Sequence, residues 1–185
     1  MATPTITCKS IIDAKVFSDF SYFHNFILGN RKTGFITGSL FLLVTALLNL
    51  FTGSFSLFLV CLVLAIGVPF LYYLFYCRTL FNQIKANHLE IPREAYTITI
   101  TESGVTASTA TERITYPWNK IFRIYRTSEY FFLYIIKNKA FILPSRDVQG
   151  ASQDHLWELI QEHTKNTRYF TNYRQPSRFF RYTGQ

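Results

Sequence analysis

The densest set of metal-capable or catalytic side chains is His155, Glu158, Glu162 and His163, within one nine-residue stretch. On a helix the first three share a face, and imidazole with carboxylates at that spacing can hold a divalent metal. His163 falls toward the apolar side with Leu156, Leu159 and Ile160, so the four do not converge, and the stretch reads as a solvated helix surface. Ser145, Asp147 and His155 supply the residue types of a hydrolytic triad. No strand-to-helix elbow presents the serine, and no donor pair is evident for an oxyanion. Glycine-rich phosphate loops are missing too, with only eight glycines in 185 residues, four of them in the apolar block described next. No residue is assigned to catalysis, a cofactor or a metal, and the chain is read as non-enzymatic.

The elements that must position any site are set by Thr33–Cys77, forty-five residues without a charged side chain, between Arg31-Lys32 and Arg78. One crossing of a bilayer takes about 20 apolar residues, so this block fits two crossings and a turn. Thr52-Gly53-Ser54 has turn chemistry, which gives a helical hairpin of 33–51 and 56–77. Gly34 and Gly38 form a GxxxG pair that lets backbones approach, read mainly as packing on the second helix and otherwise as a homodimer contact. Gly67 and Pro69 predict a kink. No ionisable group lies inside either crossing, which argues against transport. Arg31, Lys32, Arg78 and Lys85 flank the outer ends while the turn has no cation, so both termini are expected in the cytosol. Met1–Lys32 lacks the pattern of a secretory signal, so the apolar block is expected to stay as an anchor. Three cysteines without CxxC spacing (Cys8, Cys61, Cys77) read as buried or reduced thiols rather than disulfides or a zinc site.

Around the hairpin the pattern changes. Residues 1–32 contain a short β-branched strand, Thr5–Ile11, and then a helix capped by Asp13. The aromatic stripe of that helix (Phe17, Phe20, Tyr22, Phe23, Phe26) fits either a bilayer surface or a protein face. Residues 78–91 extend the second helix. Residues 92–167 alternate as strands with short turns: Tyr96–Thr101, Val105–Ala110, Glu112–Tyr116, Trp118–Arg126, Tyr130–Ile136 and Ala140–Leu143. A helix from Ser152 or Asp154 to about Asn166 closes the domain. The predicted class is an α+β membrane protein, a two-helix transmembrane hairpin plus a cytosolic antiparallel β-sheet domain capped by a C-terminal helix.

The stretch Lys165–Gln185 holds five basic and six aromatic residues and no acidic one. Within the tail 168–185, Arg168, Arg174, Arg178 and Arg181 would meet anionic headgroups, with Tyr169, Phe170, Phe179 and Phe180 entering the interface. Tyr72, Tyr73, Tyr76 and Arg78 are expected at headgroup level on the second helix. Stacking on single-stranded nucleic acid needs the same composition, but a domain tethered at a bilayer favours lipid. A net charge of +8 agrees with an anionic surface as partner.

At Glu102-Ser103-Gly104-Val105, Ile114-Thr115-Tyr116-Pro117-Trp118-Asn119-Lys120-Ile121 and Ala140-Phe141-Ile142-Leu143-Pro144-Ser145-Arg146 the chain resembles the YcxB-like family of bacterial proteins. The resemblance implies paired membrane helices followed by a small β-rich domain, and it is clearest from Tyr96 to Asp147. Where the family more often has Pro-Lys-Arg, this chain has Pro144-Ser145-Arg146, which weakens the case for a basic pair as a ligand site there. The expected function is a bacterial inner-membrane protein whose cytosolic β domain binds a protein partner or the membrane surface. Trp118, Arg123, Arg126 and Arg146 are the candidate partner-binding residues. An immunity or stress-protection protein acting against a toxin is the alternative.

Overall fold

The computed structural model describes residues 5–29, 31–91 and 95–170, and the side chain of Lys32 lies outside the description. The described residues divide into two compact units: Ser21–His88 is one, and the residues up to Phe20 together with those from Leu89 onward are the other.

The Ser21–His88 unit is helical. A π-helical turn, Phe23–Leu28, precedes helix α2, Arg31–Phe51, and helix α3 runs over Phe55–Ala86. Between them Gly53 takes a positive φ of 77°, which glycine adopts without strain. Helix α3 is continuous through Pro69 and runs on past Arg78 to Ala86, as the extension of the second helix predicts. At 1.5 Å per residue its 32 residues span about 48 Å, more than the ~30 Å of a bilayer core. Both helices are long and apolar enough to cross a membrane. Phe41, Phe51 and Val63 are 72%, 86% and 66% exposed, and apolar exposure on this scale is unfavourable in water.

The helices meet through small residues, as expected, with Ala46 rather than the glycine pair at the contact. Ala46 and Ala65 are buried, and Ser39 Oγ donates to Ala65 O at 2.9 Å. A methyl group added at Gly34 or Gly38 would meet nothing within 4 Å, so the reading of this pair as packing on the second helix is corrected: they face away from α3. At the other end of the pair, Tyr72 Oη accepts from Arg31 Nη1 at 2.6 Å, and the Phe26 ring meets Tyr76 edge-on at 4.8 Å.

The second unit is α+β. Strand β1 (Ile6–Ser10) is followed by α1 (Ala14–Tyr22), which starts where Asp13 Oδ1 accepts from Val16 N at 2.7 Å. After the hairpin come β2 (Tyr96–Thr101), β3 (Gly104–Ser108), β4 (Arg113–Pro117), β5 (Arg123–Arg126), β6 (Tyr130–Ile136), β7 (Lys139–Pro144), β8 (Val148–Gln149), α4 (Gln153–His163) and β9 (Thr167–Tyr169). Ser152 caps α4 by accepting from His155 N at 3.1 Å.

The strands form two sheets, which corrects the single sheet read from the alternation. One has the order β4-β3-β2-β1-β8 and is antiparallel throughout; the other has the order β7-β6-β5-β9, with β9 parallel to β5. Alternation reports which face of a strand is buried, not which sheet the strand joins. A second correction concerns Trp118–Lys120, which is a single 3-10 turn, so that β5 begins only at Arg123. Its cause is the Trp118 indole, which is buried with Nε1 donating to Thr101 O at 3.0 Å and ties the chain down between the sheets. The apolar ends of both sheets and one face of α4 share one core, from Ile6, Ile100 and Val105 to Phe131, Leu133, Leu156 and Ile160.

Candidate functional site

In the first sheet, β1, β2, β3 and β4 pair Cys8 with Ile98, Ile98 with Ala107 and Ala107 with Ile114, and one register step away they pair Ser10 with Tyr96. Directly paired residues project to the same side of a sheet, so all of these share one face. At the Ile6–Ile100–Val105 end that face is filled by the core. At the other end it is not filled. A cavity of about 410 Å³ remains, walled by Tyr96, Ile98, Ala107, Ile114 and Tyr116 on one side and by Ala140, Phe141 and Ile142 of β7 on the other. Phe17 and Phe20 of α1 complete the wall, and Phe20 is held by ring contacts with Phe132 and Tyr134 at 5.7 and 5.9 Å.

The two sheets are joined beside this cavity by the Ser10 hydroxyl, which donates to Ile142 O. That bond occupies the Ser10 hydroxyl; Tyr96, Thr109 and Tyr116 bring the other hydroxyls to a lining that is otherwise mostly apolar. Polar and charged side chains gather instead at two exposed hairpin tips: Glu112 from the β3–β4 turn, and Asn138 of the β6–β7 turn with Lys139 at the start of β7. A concave, mostly apolar space of roughly 300–1,000 Å³ with a few polar groups is the usual form of a small-molecule site.

The residues singled out from sequence lie elsewhere, in two kinds of place. Trp118 and Arg126 are buried. The Arg126 guanidinium pairs with Asp154 Oδ1 at 2.7 Å and lies 4.6, 5.5 and 5.9 Å from the ring centroids of Tyr169, Phe131 and Trp157. Arg123 and Arg146 are exposed, Arg123 against the Phe122 ring at 5.0 Å and Arg146 near Asp147 at 3.7 Å. The structure therefore does not gather these four into one surface.

Of the tail, Arg168 and Tyr169 belong to β9 and the Phe170 amide donates to Arg126 O at 2.9 Å, so these three continue the second sheet. Arg174, Arg178, Phe179, Phe180 and Arg181 lie outside the described residues. Tyr72, Tyr73, Tyr76 and Arg78 all lie on α3.

His155, Glu158 and Glu162 are exposed on α4, and the His163 ring lies over Trp118 at 5.4 Å with Nδ1 2.9 Å from Leu159 O. Among the described residues no three His, Cys, Asp or Glu side chains are grouped to hold a metal. Ser145 is buried, its hydroxyl has no partner among the described residues, and no hydrogen bond joins it to Asp147 or His155. The Cys8 thiol is buried 3.7 Å from Pro144 O, and burial pushes its pKa up to about 12, so it stays a thiol at any physiological pH.

Residues 100–174 match the model of the family described as YcxB-like protein. Over this stretch the chain is similar to the YcxB-like family. No curated protein and no solved structure matches it. The YcxB-like stretch begins inside β2, so β1 and α1 precede it, and the cavity is walled from both sides of that boundary. The short motifs of the YcxB-like stretch now have physical reasons. Gly104 has φ +148°, and a Cβ there would stand 2.3 Å from Tyr116 O, so the β2–β3 turn accepts only glycine. Trp118 is the tie between β2 and the 3-10 turn, and 140–142 belong to the β7 wall of the cavity.

Sequence reasoning missed the cavity. Ile98, Ala107 and Ile142 are buried and carry the same signal as core residues. Only Ile114, half exposed on an edge strand, breaks the pattern.

Proposed function

We propose that this chain is a non-enzymatic bacterial inner-membrane protein, with both termini in the cytosol, in which the helical pair anchors a β domain that binds a ligand or partner through its intersheet cavity. The observation that carries this reading is the 410 Å³ apolar cavity with charge confined to its rim. It offers shape and desolvation, with no nucleophile–base pair among its lining residues, which suits binding better than chemistry. The anchor is supported by two apolar helices with exposed outer faces and by Arg31, Arg78 and Lys85 flanking the charge-free run.

Site-specific photo-crosslinking in native membranes tests it. A photoreactive side chain at Ile114, beside the cavity, should give a discrete adduct of the intact protein. The same group at Thr99, on the opposite face of the sheet, should not. Equal labelling from both positions, or none from Ile114, would refute binding through this cavity.

A further inference from the structure

The shape and chemistry of the cavity specify more than an apolar ligand. Resting on the binding reading above, we infer that its occupant is the single hydrocarbon chain of an amphiphile, with the charged head at the mouth between the two hairpin tips.

Three observations lead there. The walls are mostly apolar, with Ile98, Ala107, Phe141 and Ile142 contributed by the two sheets; the Ser10 hydroxyl is already donated to Ile142 O, and the other hydroxyls of the lining belong to Tyr96, Thr109 and Tyr116. A peptide entering this space would bring backbone N–H and C=O groups that only the outer edges of β4 and β7 could pair, and each group left unpaired would cost roughly 1–3 kcal/mol. A methylene chain has no such groups, and each CH₂ taken from water contributes about 0.8 kcal/mol. The rim complements a head rather than a second apolar surface: Glu112 and Lys139, of opposite charge, and the Asn138 amide all border the opening and are exposed. A phosphate with an attached ammonium matches that set of charges, so a single-chain zwitterionic phospholipid is the class that fits both parts.

The test uses the full chain in phosphatidylcholine nanodiscs doped with lysophosphatidylethanolamine carrying a diazirine near the end of its chain. After irradiation, adducts are mapped by mass spectrometry. We expect adducts on the β3 and β7 segments around Ala107 and Ile142 in addition to those on the two long helices. Ala107→Phe, which fills the floor, should lower β-domain adducts by about tenfold, equivalent to ~1.4 kcal/mol of binding, while helix adducts stay constant. Because Ala107→Phe can disturb packing, Ile114→Trp on the half-exposed edge strand of the cavity provides a second block outside the buried core, and it should give the same loss. Adducts confined to the helices, or β-domain adducts that survive both substitutions, would overturn the inference. If the probe at Ile114 captures a protein in native membranes while the diazirine lipid leaves the β domain unlabelled, the chain inference falls and the binding reading stands. If neither reagent labels the cavity, both fall.

Discussion

Tyr130 donates its hydroxyl hydrogen to Asp19 Oδ2 at 3.1 Å, joining α1 to β6 across 111 residues of sequence. Asp19 is almost wholly buried, and loss of solvation raises its pKa to about 6 despite the opposing effects of the Tyr130 hydrogen bond and of Lys15; Glu129 and Asp13 push it the same way as burial. Burial, the Asp19 charge and this hydrogen bond together push the Tyr130 hydroxyl upward, so it remains a donor.

A raised carboxyl pKa means that the folded state holds the proton more tightly than the unfolded one. The stabilisation is fully present below the ordinary pKa of 3.8 and is lost as pH rises through about 6. Asp19→Asn, neutral at every pH and able to accept from Tyr130, should therefore match the wild type near pH 4 and be more stable at pH 8 by up to about 3 kcal/mol. Hydrogen exchange of β6 amides in the intact protein, compared at the two pH values, measures this. A difference between the two proteins that does not change with pH would rule out titration of Asp19.

Arg126 and Asp154 should respond unequally to mutation. The arginine side chain is 9% exposed and the aspartate 82%. Arg126→Met leaves a solvated carboxylate and keeps an apolar stem among Phe131, Trp157 and Tyr169, so we expect a loss below about 1 kcal/mol. Asp154→Ala leaves a mostly buried cation with ring faces alone, and about 2 kcal/mol should be lost. Denaturant midpoints at constant m-value check the order. The reverse order would mean that the pair matters less than the packing.

Gly104→Ala should destabilise the β domain by about 2–3 kcal/mol, because φ of +148° is strained for alanine and Tyr116 O occupies the space its methyl needs. Gly34→Ala and Gly38→Ala meet open space and should leave folding unchanged. Thermal unfolding of the three variants tests this contrast. If Gly34→Ala and Gly38→Ala shift the oligomeric state in lipid while leaving the fold intact, the homodimer read from their spacing gains support.

Much of the architecture is legible in the residues, for physical reasons that can be named. The uncharged run 33–77 leaves two apolar helices as the only economical solution, and Asp13 and Ser152 mark helix starts by the hydrogen bonds their side chains accept. The β-branched run Thr5–Ile11 reads as a strand, and its Ile6–Ser10 portion pairs with β2 and β8. What stays hidden is set by long-range packing. Arg126 reads as a surface cation because nothing local announces the ring faces of Phe131, Trp157 and Tyr169 around it. Strand β9 is three residues long and reads as tail until it lies parallel to β5. The cavity exists only because two sheets and α1 meet without filling the space between Ala107 and Phe141, a property of no single stretch of sequence.

The central claim is that the intersheet cavity is the place where the anchored protein binds. Isoleucine methyl spectra of the intact chain in nanodiscs, recorded before and after addition of total extract from bacterial cells, test it most directly. The account predicts that the methyl signals of Ile98, Ile114 and Ile142 at the cavity shift while those of Ile6 and Ile124 in the filled core stay in place. Unchanged cavity signals, or a response confined to Ile36 and Ile66 on the apolar helices, would contradict it.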